Sequence, residues 1–300
     1  MGRKSRLTAG VDGNREQLFH EKGSIKKKWK NRVPIALIFP NKYALGMSNL
    51  GLQLVYQLLN RDDAIVAERV FLPDSGIKPV SIESGRPLAD FPLLFFSVSF
   101  EQDYQYMLML LEMSGIPSLA CERTEKSQVV SAMAAGGQPL VVAGGVATFM
   151  NPEPLAPFVD LFIIGEAEPI LDSAMELLLP GINRKSKVKL LEEIGTKLPG
   201  CYAPGLYEVV YAPDGALLSN TPQKEQATLP PRIKKVIMDS CGSVAAHSQI
   251  LSPQAEFSDL YMTELGRGCS RGCRFCAAGF IYRPPRLWKA QTIINAIDAR

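Results

Sequence analysis

The chain is 300 residues long, 46% hydrophobic and 21% charged, enough to bury a sizeable core and of a length that suggests two domains. The start, residues 1–10, is basic and polar without an apolar secretory core, and no apolar run approaches the roughly 20 residues that cross a bilayer; this excludes a membrane-spanning helix and points to the cytoplasm. The net charge of +3 is uneven, because residues 1–32 hold ten Lys/Arg against three Asp/Glu and leave the remainder acidic.

Residues 1–32 form a basic N-terminal extension. Lys26, Lys27, Lys28 and Lys30 around Trp29 offer contacts to RNA or another polyanion, and the plainer reading is a solvated tail leading into the first strand. Residues 34–39 (PIALIF) are expected to be a buried strand, and residues 49–60 a helix with apolar positions at helical spacing. Further strands are expected at 65–72, 93–100, 140–143 and 161–164, with helices at 103–113 and 168–179. Alternating strands and helices with near-continuous apolar strands predict an α/β, doubly wound parallel sheet over residues 33–180. Its ligand site should lie beyond the carboxyl ends of the strands. Residues 181–255 become rich in Pro, Gly and charge, a connecting segment with one hairpin, 207–211 and 216–218 around Pro213-Asp214-Gly215. A strand is expected at 260–264, running into a cysteine-rich loop, and a helix from about Thr292.

Six cysteines fall at 121, 201, 241, 269, 273 and 276. Three crowded into eight residues suit a metal site in a reducing compartment better than a disulfide framework. The segment Glu264-Leu-Gly-Arg-Gly-Cys269-Ser-Arg-Gly-Cys273-Arg-Phe-Cys276-Ala-Ala-Gly279 has the spacing C-x3-C-x2-C. Three thiolates hold three irons of a cubane and leave the fourth open to chelate another molecule, whereas electron-transfer clusters use four cysteines. Gly266, Gly268, Gly272 and Gly279 let the backbone wrap closely, and Arg267, Arg271 and Arg274 supply positive charge beside an anionic cluster. A structural zinc site wants a fourth Cys or His at short spacing, and Cys241 and His247 form no second knuckle.

This loop resembles the signature of the radical S-adenosylmethionine (radical SAM) family. The resemblance implies a [4Fe-4S] cluster on Cys269, Cys273 and Cys276, S-adenosylmethionine on the open iron with Phe275 near its adenine, reductive cleavage to a 5'-deoxyadenosyl radical, and an electron donor such as flavodoxin or ferredoxin. It covers residues 258–290, so residues 256–300 are expected to begin a partial (β/α)6 barrel. The family's later Gly-Gly-Glu-type motif does not follow, and Gly144-Gly145 and Gly165-Glu166 lie upstream. The 300 residues are thus expected to be the front part of a longer or split protein, inactive alone.

Residues 33–180 resemble the flavodoxin-like cobalamin-binding domain that precedes the barrel in one class of these enzymes. Where that domain has D-x-H-x-x-G, this chain has Asn41-Lys42-Tyr43-Ala44-Leu45-Gly46, so a bound cobalamin would lack the histidine ligand. Ser97 and Ser99, then Gly144 and Gly145, stand where the family meets the nucleotide tail, and 160–168 resembles its closing segment. Methylthiotransferases are disfavoured, since they need three cysteines in that domain and only Cys121 is there. The pattern is closest to a radical SAM branch with a cobalamin-binding-like domain, and it brings no substrate with it.

Other residues have plainer readings. Cys121, Cys201 and Cys241 lack ligand spacing, and His20 and His247, isolated in sequence, are expected at the surface or locally hydrogen-bonded rather than catalytic. Glu264 faces a reaction cavity or makes a salt bridge. Tyr104, Tyr106, Met107, Met109 and Met113 form a cofactor wall or, more simply, a helix packed on the sheet. Two other functions stay open: a non-catalytic module or scaffold binding cobalamin or a nucleotide, and a zinc-structured nucleic-acid binder using the basic arm.

Overall fold

The structure, a computed structural model, describes residues 20–123, 138–226, 228–238 and 245–298. The apolar runs become parallel strands β1 (Val33–Phe39), β2 (Ile65–Phe71), β3 (Leu93–Ser97), β4 (Leu140–Gly144) and β5 (Leu161–Ile163). A two-residue strand, β6 (Cys201–Tyr202), closes one edge antiparallel to β5. The order β2-β1-β3-β4-β5-β6 makes a mixed α/β fold whose sheet is mostly parallel. Chain order reverses between β1 and β3, which creates a crevice beyond the carboxyl ends of those strands.

The strands are apolar because both faces are covered, and β2 is buried along its whole length although it carries Glu68 and Arg69. Both buried charges are satisfied locally, Glu68 by hydrogen bonds and Arg69 by ion pairs, as burial requires. Glu68 accepts from Trp29 Nε1 at 2.6 Å, Ser81 Oγ at 2.6 Å and Ser84 Oγ at 2.5 Å. Arg69 pairs with Glu21 and Glu83, each at 2.7 Å.

The described part of the basic extension lays Ile25 and Trp29 against the core while Lys26, Lys28 and Lys30 stay exposed. Trp29 also meets Phe91 edge-on at 4.8 Å and lies under Arg86. Lys27 Nζ donates to the carbonyls of Asn60 and Asp62, at 2.6 and 2.8 Å.

Helices α1 (Tyr43–Met47) and α2 (Leu50–Arg61) follow β1, and Asn49 caps α2 by accepting from the Leu52 amide at 2.9 Å. Helix α3 (Asp103–Met113) follows β3, and α4 (Val146–Met150) follows β4. Helix α5 (Leu171–Arg184) runs past Pro180 and is followed at once by α6 (Lys187–Lys197), where a plain connecting segment was expected. The cause is a second apolar face: Leu190, Leu191 and Ile194 are buried. The hairpin β7 (Tyr207–Tyr211) and β8 (Leu217–Pro222) turns at Gly215, which has φ +84°.

In the last segment, the strand expected at residues 260–264 is reduced to one antiparallel bridge, His247 to Thr263, flanked by the hydrogen bonds Ser248 N to Met262 O and Glu264 N to Ala246 O. Among the described residues the pairing goes no further than this bridge and its two flanking bonds, and Leu260 is left exposed. A two-residue pair, β9 (Gly266–Arg267) with β10 (Arg286–Leu287), brackets the cysteine loop and the short helix α7 (Ala278–Ile281). Helix α8 (Ala290–Asp298) begins two residues before the expected start, and its Ala296 packs with Ala245 and Trp288 in a small second core.

Candidate functional site

The carboxyl ends of β1, β3, β4 and β5 open into a cavity of about 470 Å³. Leu37, Phe96, Val142 and Ile163 bring apolar side chains to it from the strands, and Leu54 and Val55 from α2. The far side comes from the C-terminal segment, through Ala246, Glu264, Arg267 and Tyr282. Tyr282 is held by an edge-on contact with Phe149 of α4, with ring centres 6.2 Å apart.

Four of the sequence-predicted cofactor residues, Ser97, Ser99, Gly144 and Gly145, line this cavity. Ser99 Oγ accepts from Asn49 Nδ2 at 3.1 Å. Gly145 has φ +107°, and a Cβ there would strike the backbone of Val98, so glycine is needed for the β4 turn to pass so close to the end of β3.

The predicted residues after β1 do not line the cavity. Asn41 Nδ2 donates to Asp103 Oδ1 at 3.0 Å. The buried Tyr43 hydroxyl donates to Glu21 at 2.5 Å with Ser252 Oγ 2.8 Å away. Burial, then the Glu21 charge, pushes the Tyr43 hydroxyl well above its ordinary pKa. A Cβ on Gly46 would collide with the Phe71 ring, so that glycine serves packing.

Cys269 and Cys273 are exposed and Cys276 is half-buried. Among the described residues no three Cys, His, Asp or Glu side chains converge as a metal-holding group. What the loop does present fits a cluster in its chemistry: three free thiols, a Cys269 Sγ that already accepts the Arg271 amide at 3.4 Å, and open space around Gly272. The loop's entrance is fixed at Gly268, with φ +81°, where a Cβ would meet the Tyr282 carbonyl. Phe275 stands at the loop's tip, 92% exposed.

An ionic network ties this segment to the end of β5. Arg267 pairs with Glu264 at 2.8 Å, Glu168 at 2.5 Å and Glu166 at 3.3 Å. Arg286 grips Glu166 through two nitrogens at 2.5 and 2.8 Å and also donates to the Met238 carbonyl at 2.9 Å. Burial alone would raise the Glu166 carboxyl, but hydrogen bonds from Arg286 and the Met238 amide, together with the two guanidinium charges, hold it below the usual carboxylate range. Glu264 both lines the cavity and makes a salt bridge, which joins its two sequence readings.

The remaining candidates lie elsewhere. His247 is buried between the Ala245 carbonyl at 2.8 Å and Gln249 Nε2 at 2.5 Å. Met107 is buried under α3, and none of Tyr104, Tyr106, Met107, Met109 or Met113 borders the cavity. Cys121 is exposed, Cys201 is buried, and Cys241 lies outside the described residues. Among the described residues no helix is long and apolar enough to cross a membrane.

A family model described as "Radical SAM proteins, N-terminal" matches residues 51–204, just over half of the chain. The chain belongs to the radical SAM proteins. The match spans the sheet from α2 to β6 and stops ahead of the cysteine loop. This radical SAM chain is also similar to the uncharacterized protein MJ0966 of Methanocaldococcus jannaschii, with 25% identity over 260 residues. That alignment takes in 87% of this chain and 44% of the relative, so the chain spans less than half of the relative's length. No solved structure matches it.

Proposed function

We propose that this chain is the N-terminal part of a radical SAM enzyme in which Cys269, Cys273 and Cys276 hold a [4Fe-4S] cluster. The observation that carries the reading is the joint presence of the family's N-terminal sheet and a C-x3-C-x2-C loop latched to its carboxyl edge by Arg267 and Arg286. When bound, such a cluster supplies the electron that cleaves S-adenosylmethionine to a 5'-deoxyadenosyl radical.

The chain's own residues hold and orient. Three thiolates bind three irons, the amide of Arg271 donates to the Cys269 sulfur, and Gly268 allows the loop to leave β9 against Tyr282. Phe275 offers an exposed ring face for the adenine of the cofactor. The exposed thiols accept an electron path from a small donor protein of the flavodoxin or ferredoxin kind, in a reducing compartment. The parallel order β2-β1-β3-β4-β5 supports the flavodoxin-like description of the sheet. The exposed Leu260, Leu265, Phe280 and Leu287 support further barrel strands packing on this end.

The test is anaerobic reconstitution with iron and sulfide of the whole protein, followed by reduction in the presence of S-adenosylmethionine. Iron and sulfide near four each, a visible charge-transfer band and release of 5'-deoxyadenosine are expected. Stoichiometric zinc without sulfide would overturn the reading.

A further inference from the structure

The cavity lies between the sheet and Arg267 and Tyr282, which flank the cysteine loop; it reaches the end of the β1 connection at Ser48 and Asn49, while Asn41, Tyr43 and Gly46, in the loop that in cobalamin domains faces the corrin, stand outside it. Here Ser252–Phe257 covers that loop. The Glu256 amide donates to the Ala44 carbonyl at 3.0 Å, the Phe257 amide to Ser48 Oγ at 3.0 Å, and Tyr43 is turned toward Glu21 and Ser252. Over the ends of β4 and β5, Glu264, Arg267 and Tyr282 wall the cavity. The remaining space, about 470 Å³, falls in the range for one drug-sized molecule.

Charge narrows the occupant further. Arg267 is the cavity's basic residue, and it is engaged by three carboxylates. Counting Arg286, the network of Glu166, Glu168 and Glu264 with two guanidiniums carries an excess of one negative charge. A nucleotide tail brings a phosphate, which this field repels. The groups left to meet a ligand are the hydroxyls of Ser97 and Tyr282, which make no hydrogen bond among the described residues, and the Ser99 hydroxyl, whose oxygen takes only the Asn49 amide.

We infer that this cavity binds a compact, largely apolar, neutral or cationic small molecule and excludes cobalamin. Because Arg267 borders the cavity two residues from Cys269, the occupant lies beside the cysteine loop and is the substrate of the radical reaction. That last step rests on the radical SAM reading; the ligand class does not.

The test uses the full chain, purified anaerobically, with the neutral apolar dye Nile red, the anionic dye 8-anilinonaphthalene-1-sulfonate and hydroxocobalamin. Nile red should bind at one site, and Val55→Trp or Ala167→Trp, each filling the cavity from a different wall, should weaken it about tenfold or more. The anionic dye should bind poorly and tighten roughly tenfold in Glu168→Gln, which removes the excess charge. Hydroxocobalamin should leave Nile red in place and elute apart from the protein on gel filtration. Stoichiometric corrin absorbance on the protein with loss of the dye would overturn the inference, as would dye binding indifferent to both filling variants. Retained dye binding in a protein that forms no iron–sulfur cluster would sink the radical reading and leave the ligand class standing; cluster and 5'-deoxyadenosine without dye binding would do the reverse.

Discussion

Replacing Arg267 with Met should loosen the cysteine-bearing segment on the sheet without unfolding the sheet itself. The guanidinium is 11% exposed and touches Glu168 and Glu264, whose side chains are 16% and 19% exposed, as well as Glu166. Breaking a fully buried ion pair costs about 3–5 kcal/mol, and the residual solvent at these two carboxylates lowers the expected loss to about 2–3 kcal/mol. Arg286 keeps its own grip on Glu166, so the segment is loosened rather than freed. Hydrogen exchange read by mass spectrometry should show amide protection over residues 262–288 falling by roughly 30- to 150-fold, with β1, β3 and β4 unchanged. Adding Glu168→Gln and Glu264→Gln to the Met variant should restore part of the protection, because the stranded charges are then gone. Unchanged protection in the single variant would refute the claim that this network holds the loop over the cavity.

Acid should act on the same latch. The folded-state carboxyl of Glu166 is depressed, so its contribution is fully present above the ordinary carboxylate range and is lost as pH falls through the lowered value; protection at 262–288 should therefore fail at acid pH, and an increase there would contradict the assignment. Cys201 is buried, which pushes its thiol up to about 12, so iodoacetamide at pH 8 should modify the exposed Cys121 and spare Cys201 in the native protein, as peptide mapping would show. Gly145→Ala should destabilise the sheet by about 2 kcal/mol or more, measured by urea unfolding, since the new Cβ meets the Val98 backbone at a φ of +107°. Arg69→Met leaves Glu21 and Glu83 buried together, and the loss of about 4 kcal/mol that follows should shrink on acidification as the Glu83 carboxyl, which burial already raises, protonates, visible as a smaller gap in Tm from wild type at pH 5 than at pH 7.5.

The sheet was legible because its strands are buried on both faces and leave uninterrupted apolar runs, and the helices 50–61 and 103–113 because the first carries apolar residues at helical spacing and the second a Leu/Met-rich face. Helix α6 was missed although Leu190, Leu191 and Ile194 carry the helical spacing, because Pro180, Gly181 and a charge-rich composition around it suggested a linker. The C-terminal strand was overread: an apolar stretch needs a partner ladder to become a strand, and among the described residues it makes one bridge with two flanking hydrogen bonds. In the candidate site, the cysteine spacing marked the loop from near neighbours in sequence, and the resemblance to cobalamin-binding domains pointed to the strand-end residues Ser97, Ser99, Gly144 and Gly145, which line the cavity.

The latch had no such signature. Glu168 and Arg267 are 99 residues apart, and Glu166 and Arg286 are 120 apart, so their pairing depends on the final segment folding back over the carboxyl edge. The same fold-back decides what the cavity can hold. Sequence resemblance at Asn41, Tyr43 and Gly46 concerns the loop alone, whereas access to that loop is set by Ser252–Phe257, more than 200 residues later. The downstream chain thus packs on the loop after β1 while the strand order and the small residues at the strand ends are kept. The cavity that remains is shaped by the cysteine-bearing segment as much as by the sheet, which puts its occupant beside that loop.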